Sequence, residues 1–104
     1  MNFDTDKATL RPEAAAGVAE VLALLRQNPQ LRLAVQGHTD NAGTPAHNQQ
    51  LSEARARTVV AALTKAGTAA SRLQATGLGQ TKPLTDNATE DGRAKNRRVE
   101  LVKL

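Results

Sequence analysis

The near absence of aromatic side chains is the feature that most constrains the fold of this chain. Phe3 is the only aromatic residue among 104, and Ala, Leu and Val supply most of the apolar side chains. A chain of this length can build one domain with a hydrophobic core. Because small side chains fill little volume, that core has to be thin, with helices packed closely against a sheet. We therefore expect a single domain over residues 1–104.

Hydrophobic periodicity predicts strands alternating with helices. After Pro12, apolar residues recur at steps of three and four, which is typical of a helix with one buried face. Residues 31–36 alternate apolar with polar or small side chains, which indicates a half-buried strand. Thr44-Pro45 is a favourable start for a second helix, and Gly67 a favourable end. The predicted elements are a strand stub at 1–3, a helix at 12–28, a strand at 31–36, a helix at 45–66, a strand at 71–77, a loop at 78–92 and a strand at 98–104.

This order of elements predicts an α+β fold. Strands separated by helices favour parallel pairing with right-handed crossovers. We expect a two-layer βαβαβ-β domain whose mixed, mostly parallel sheet is covered on one face by helices. Because residues 1–3 are short for a strand, we expect the N-terminal strand to be truncated.

The end of the strand at 31–36 is the predicted place for a ligand. In open sheets with helical crossovers, ligands tend to bind where the C-terminal end of a strand meets the next helix. That strand runs into Gly37-His38-Thr39-Asp40. At about 100° per residue, Asn48, Ser52 and Arg55 of the next helix fall on one narrow face, with Leu51 beside them.

That helix face changes chemistry along its length. It is polar near the strand end, but Val59, two turns after Ser52, is apolar. A purely structural helix would keep its buried face apolar, so the change predicts a pocket. Such a pocket suits a zwitterion, because Asp40 can hold an ammonium and Arg55 a carboxylate while Asn48 adds hydrogen bonds. The alternative is an ordinary ion pair between Asp40 and Arg55, and the pattern alone leaves both interpretations open.

Other site chemistries find less support. The chain has no cysteine, which excludes disulfides, thiolate metal sites and cysteine nucleophiles. His38 and His47 have no third ligand at a suitable spacing, so we expect no metal and no cofactor, and expect the His38 ring to pack with its nitrogens hydrogen-bonded. Ser52 lies inside a helix, without the sharp turn or oxyanion site that a triad with His47 and Asp40 would need. We therefore expect no enzyme.

The net charge of +4 favours an anionic partner, such as nucleic acid, lipid head groups or an acidic cell-wall polymer. A single aromatic residue offers no stacking platform for bases, and no helix-turn-helix pattern is visible, so we do not expect a nucleic-acid partner.

Two further motifs follow the strand at 71–77. Gly77-x-Gly79 lacks the third glycine of a dinucleotide site and predicts a turn. In the basic cluster at 93–98, we expect Arg97 to reach the pocket while the arginines on either side pair with loop acids.

Several spaced motifs occur in a fixed order along nearly the whole chain. They are Phe3-Asp4-x-Asp6-Lys7 with Leu10-x-Pro12; Gly37-His38-Thr39-Asp40-Asn41-Ala42-Gly43; Asn48-x-x-Leu51-Ser52-x-x-Arg55-Ala56-x-x-Val59; and Gly77-x-Gly79, Pro83, Asn87-x-Thr89, Gly92-Arg93-Ala94 and Asn96-Arg97-Arg98-Val99-Glu100. Together they resemble the OmpA-like peptidoglycan-binding domain. This family includes the C-terminal domains of OmpA porins, the peptidoglycan-associated lipoproteins and the flagellar stator protein MotB.

The resemblance implies reversible binding of diaminopimelate in the peptidoglycan stem peptide. The aspartate and arginine of the family signature, which are understood to hold the free amino and carboxylate groups of diaminopimelate, map onto Asp40 and Arg55. The supporting positions of the family map onto Thr39, Asn48, Leu51, Arg97 and Asp6. Many such domains on one wall would act together through a high effective concentration.

The resemblance also implies a location in the Gram-negative periplasm, attached to the outer membrane. Contact with the membrane is then expected only through an anchor or barrel upstream of residue 1, and a homodimer is left open. The alternative is a structural or assembly module of an envelope machine, such as a stator or a secretion-system anchor, which acts mainly through protein partners.

Overall fold

A computed structural model describes all 104 residues, and it contains three α-helices and three strands. The elements, in chain order, are α1 (Ala14–Gln27), β1 (Leu33–Gly37), α2 (Pro45–Lys65), a 3₁₀ turn (Ala70–Arg72), β2 (Leu73–Gly77), α3 (Glu90–Asn96) and β3 (Val99–Lys103). None of the helices combines the length and the apolar character needed to cross a bilayer.

The three strands form one mixed sheet in the order β2-β1-β3. β1 runs parallel to β2, with Val35 opposite Ala75, because α2 carries the chain back across the sheet. β3 lies on the other side of β1 and runs antiparallel, with Leu101 opposite Val35. The predicted α+β class and the mixed sheet are therefore confirmed.

The hydrophobic core lies between the sheet and the helices. Val35 of β1 packs with Val59 and Leu63 of α2, and all three side chains are fully buried. Phe3, Ala56 and Val99 complete this cluster, and apolar residues of α1 pack against it. Since α1 and α2 contact the same cluster as Val35, both helices cover the same face of the sheet.

Two glycines allow α2 to approach the sheet very closely. A Cβ atom on Gly37, the last residue of β1, would lie 1.9 Å from the backbone oxygen of Ser52. A Cβ atom on Gly77, the last residue of β2, would lie 2.6 Å from the backbone nitrogen of Glu53. The contact brings the polar face of α2 directly over the ends of both strands, and it agrees with the thin, closely packed core expected from the composition.

The predicted boundaries of α2 are confirmed. The Thr44 hydroxyl accepts a hydrogen bond from the backbone N–H of His47 at 3.1 Å, and Pro45 is the first helical residue. The helix ends at Lys65, and Gly67 follows with φ +112°, a conformation that glycine adopts without strain. The first helix begins two residues after Pro12, at Ala14.

The sequence does not predict helix α3, whose residues fall in the expected loop at 78–92 and in the connection before the last strand. It spans seven residues and contains Gly92, so it carries no apolar periodicity to detect. The Thr89 hydroxyl caps it by accepting a hydrogen bond from the Gly92 N–H at 3.0 Å.

The predicted strand stub at 1–3 is reduced to one β-bridge. Asn2 forms this bridge with Arg98, so the N-terminal segment lies beside the start of β3.

Candidate ligand-binding site

A cavity of about 220 Å³ opens where β1 ends and α2 begins. It lies at the strand end where the sequence predicted a ligand site. Five of the seven predicted site residues line it: Asp6, Asp40, Asn48, Leu51 and Arg55. Thr5, Ala42, Gly43 and His47 complete the lining and were not predicted as site residues.

Asp40 is almost completely buried at the end of β1, with 5% of its surface exposed. One carboxylate oxygen accepts a hydrogen bond from the Ala42 N–H at 3.0 Å, which tightens the turn that leads to α2. The other accepts from Arg97 Nη1 at 3.1 Å. Asp40 therefore pairs with Arg97 and forms no ion pair with Arg55, so the simple ion pair left open by the sequence is not what the structure contains.

Arg55 is fully buried, and backbone carbonyls hold its guanidinium. Nε donates to Lys7 O, Nη1 to His38 O and Nη2 to Asp4 O, at 2.8 to 3.0 Å. The guanidinium carbon also lies 5.2 Å from the centre of the Phe3 ring, a cation–π distance. A guanidinium has five N–H donors, so one N–H on each terminal nitrogen has no protein acceptor.

The electrostatics of Arg55 keep it charged at neutral pH. Burial lowers the pKa of Arg55 to about 10, and the nearby positive charge of Arg97 acts in the same direction. The carboxylate of Asp40 opposes this shift. A buried cation with two unused donors can bind an anion without first losing a protein partner.

Arg97 is buried and connects three parts of the chain. Nε donates to Phe3 O at 3.0 Å, Nη1 to Asp40, and Nη2 to Glu90 Oε1 at 2.9 Å. Burial lowers the pKa of Arg97, but the hydrogen bonds to Glu90 and Asp40 outweigh it and the net pKa is raised. The hydrogen bonds that Glu90 accepts from Arg97 and Arg93 lower the pKa of Glu90. Arg97 thus contacts the site through Asp40 and does not itself line the cavity.

The remaining predicted residues have different surroundings. The Asn48 amide donates to Gln80 Oε1 at 2.8 Å, so the loop after β2 helps to fix its orientation. The Thr39 side chain is buried and donates to Asp40 O at 2.8 Å, outside the cavity lining. Ser52 accepts from the Gly79 N–H at 2.9 Å and donates to Gln49 O. Ser52 therefore stabilises the contact between α2 and this loop.

Asp6 and His47 meet at the rim of the cavity. His47 Nε2 lies 2.5 Å from Asp6 Oδ1, which connects the N-terminal loop to the first turn of α2. The sequence had drawn attention to His47 only as a weak metal or triad residue. Its position immediately before Asn48, in the first helical turn after the strand end, was the signal that it could face the same site.

Two expectations about neighbouring residues were wrong. His38 is buried as expected, but neither ring nitrogen has a hydrogen-bond partner, and its Nε2 lies 3.8 Å from Glu100 Oε2. Burial and the charge of Arg98 lower the pKa of His38, against the influence of Glu100. Arg98 pairs with Glu100 of β3 at 2.7 Å, so of the two arginines expected to pair with loop acids, Arg93 and Arg98, only Arg93 does, with Glu90. Arg98 pairs with Glu100 because this acid is two residues away in the same extended segment.

The chain is similar to outer-membrane and cell-wall proteins. It is 45% identical over 100 residues to outer membrane porin F of Pseudomonas fluorescens, covering 96% of the chain and 31% of the porin. It thus spans about a third of that relative's length.

Two solved structures are also similar. The peptidoglycan-associated lipoprotein of Burkholderia pseudomallei has a TM-score of 0.94 and 32% identity, covering 99% of this chain and 87% of the lipoprotein. The cell wall anchor of the T6SS from Pseudomonas aeruginosa has a TM-score of 0.81 and 35% identity, covering 96% of this chain and 72% of the anchor. A family model described as the OmpA family matches residues 2–97, and the chain therefore belongs to the OmpA family.

Proposed function

We propose that this domain binds peptidoglycan non-covalently through the diaminopimelate of the stem peptide, and so anchors an envelope protein to the cell wall in the periplasm. The observation that carries the proposal is the cavity at the end of β1, where carboxylates and an arginine face the same space. Diaminopimelate in a stem peptide has a free amino group beside a free carboxylate. A site with both signs of charge is complementary to such a zwitterion.

We assign the carboxylate of the ligand to Arg55. This guanidinium is rigidly held by three backbone carbonyls and has one unused N–H on each terminal nitrogen. Donors on two nitrogens of one planar guanidinium suit the two oxygens of a carboxylate. Since the protein already holds the guanidinium in place, binding costs little side-chain entropy.

We assign the amino group of the ligand to Asp40, with Asp6 as a second acceptor at the rim. Each oxygen of Asp40 already accepts one hydrogen bond, and a carboxylate oxygen can accept two. Arg97 fixes the orientation of Asp40, while Thr39 binds the adjoining backbone. Asn48 and Leu51 supply a neutral hydrogen-bonding group and an apolar contact on the wall formed by α2.

The similar proteins support this proposal and the periplasmic location. One is by its name a peptidoglycan-associated lipoprotein, another a cell wall anchor, and a third an outer membrane porin. The contacts assigned to the ligand are recognition contacts. Nothing in them activates a nucleophile, so we propose binding without catalysis.

Co-sedimentation with purified sacculi tests the assignment of Asp40. Wild-type protein should sediment with sacculi that contain diaminopimelate, and Asp40→Asn should weaken binding by about tenfold or more, because a buried charged contact is lost. Asp91→Asn is the matched control, since Asp91 is exposed and lies outside the cavity. A folded Asp40→Asn variant that binds as well as the control would refute the assignment.

Arg55→Lys tests the carboxylate contact in the same assay. A lysine keeps the positive charge but replaces the two-pronged donor with a single ammonium, so binding should weaken. Arg57→Lys, two residues further along α2 and exposed, is the control. If folded wild-type protein does not sediment with sacculi at all, wall binding is wrong and a role as an assembly module in an envelope machine becomes the better account.

A further inference from the structure

We propose that His47 competes with the amino group of the ligand for Asp6, and that this competition makes wall binding weaker at acid pH. The inference rests on the function proposed above and adds a residue that controls it. His47 would thus be a residue that sets affinity, acting on the site through a carboxylate that it shares with the ligand.

The contact between the two side chains spans the rim of the cavity. His47 Nε2 lies 2.5 Å from Asp6 Oδ1, and both residues line the same cavity as Asp40 and Arg55. Both side chains are more than half exposed, at 52% for His47 and 67% for Asp6. A ligand that enters the cavity can therefore reach Asp6 and displace the imidazole.

The two carboxylates of the cavity differ in what neutralises them. Asp40 is buried and pairs with Arg97, a cation at every relevant pH. Asp6 has no lysine or arginine within ion-pair distance, and its single partner is the imidazole of His47. Asp6 is therefore the carboxylate whose charge balance depends on whether a histidine is protonated.

The backbone keeps Asp6 at this place on the rim. Asp6 has φ +57°, the only non-glycine residue with a positive φ, and aspartate tolerates this left-handed conformation better than most residues. The carbonyls of Asp4 and Lys7, on either side, accept hydrogen bonds from Arg55. The loop is thus tied to the site on both sides of Asp6, and its carboxylate stays beside the cavity.

The charge of His47 then determines how strongly Asp6 is occupied. Histidine side chains generally change charge between about pH 5 and 8. A neutral imidazole offers Asp6 one hydrogen bond, whereas an imidazolium adds an ion pair that the amino group of the ligand has to replace. The other charged groups that face the cavity are Asp40 and Arg55, and each already has its own protein partners. Arg55 also attracts Asp6 electrostatically, but without a direct contact and with a charge that stays constant over this pH range.

Calorimetric titration with a soluble stem tripeptide that ends in meso-diaminopimelate tests the inference. For wild-type protein we expect the affinity to fall about two- to fivefold between pH 7.5 and pH 5.5, the range set by an exposed ion pair. His47→Gln should keep a neutral hydrogen bond to Asp6 and remove most of this pH dependence. At pH 5.5, it should bind more tightly than wild-type protein.

Two further results separate the inference from the proposed function. Both proteins meet the same peptide, so any titration of the peptide cancels in the comparison, and parallel pH profiles would overturn the role of His47 alone. Asp6→Asn, which retains a residue type that tolerates positive φ, should bind less tightly at pH 7.5 and should also lose the pH dependence. No binding by folded wild-type protein at pH 7.5 would overturn the proposed function and this inference together.

Discussion

The two halves of α2 are equally buried but have opposite chemistry. In the first half, the fully buried side chains are Asn48, Ser52 and Arg55, and each is hydrogen-bonded. In the second half, Val59 and Leu63 are buried in the hydrophobic core. One helix therefore contributes stability at one end and a polar site at the other.

The difference shows that burial alone does not identify the function of a helix residue. A buried polar group is costly unless it is paired. In the first half, Asn48 pairs with the Gln80 side chain, while Arg55 and Ser52 pair with backbone groups of three separate segments. Those segments are the N-terminal loop, the end of β1 and the loop after β2. The polar half thus organises irregular backbone around the cavity, whereas the apolar half holds the sheet against the helices.

The largest effect should come from the apolar half. Leu63→Ala should lower the free energy of unfolding by about 2–5 kcal/mol, because it leaves a cavity in a thin core. Urea denaturation measures this loss, and Leu84→Ala, at a site 62% exposed, should cost far less. Molecules that remain folded should bind sacculi as wild-type protein does. A binding defect in the folded fraction would show that the two halves are not separate.

A smaller loss of stability, with a clear loss of binding, should follow Gly37→Ala. The added methyl group would meet the backbone of Ser52, so α2 has to move away from β1, at a cost of about 1–3 kcal/mol. That movement displaces the polar half relative to Asp40, and sedimentation with sacculi should fall. Gly17→Ala is the control, because its nearest contacts are 3.8 Å away in the flexible Met1 side chain, and it should preserve binding. Normal binding by folded Gly37→Ala would contradict this coupling.

The smallest effect concerns pH and His38, beside the polar half. Its pKa is lowered in the folded state by burial, so the unfolded chain binds more protons as the pH falls below about 6.5. Stability should therefore be complete above that pH and should decline towards pH 5.5, until His38 is protonated in the folded state as well. Thermal unfolding between pH 7.5 and 5.5 should show a shallower decline for His38→Gln than for His47→Gln. Equal slopes would rule out His38 as the cause.

The sequence predicted regular elements better than the contacts within the site. The period of the apolar residues located α1 and β1, whereas Thr44-Pro45 and Gly67 located the two ends of α2. The same period predicted that the α2 face would change from polar to apolar, because α2 is long enough to show both halves. Helix α3 was not predicted because seven residues that include a glycine are too few to show a helical period of apolar side chains.

The partners of the charged residues could not be read from spacing. Asp40 lies 57 positions before Arg97 in the chain, and Arg55 binds carbonyls at Asp4 and Lys7 that have no sequence signal, since every residue has one. The pairing of Asp6 with His47 depends on a backbone conformation that follows from the fold. The local sequence pattern predicted where the cavity lies, whereas contacts between distant parts of the chain determine which charged groups at the cavity have protein partners.

The arginines of the site give the N-terminal segment a mechanical role. Arg97 binds the carbonyl of Phe3, and Arg55 binds those of Asp4 and Lys7, so three residues of the five-residue stretch 3–7 are bound directly by arginines beside the cavity. The backbone pairing of residues 1–3 with residues 97–99 fastens the same segment to the start of β3. Tension applied to this segment would load its backbone pairing with residues 97–99, the core side chain of Phe3 and the guanidinium contacts together. If the domain anchors an envelope protein to the wall as proposed, tension on its N-terminal segment would act directly on the residues that surround the cavity.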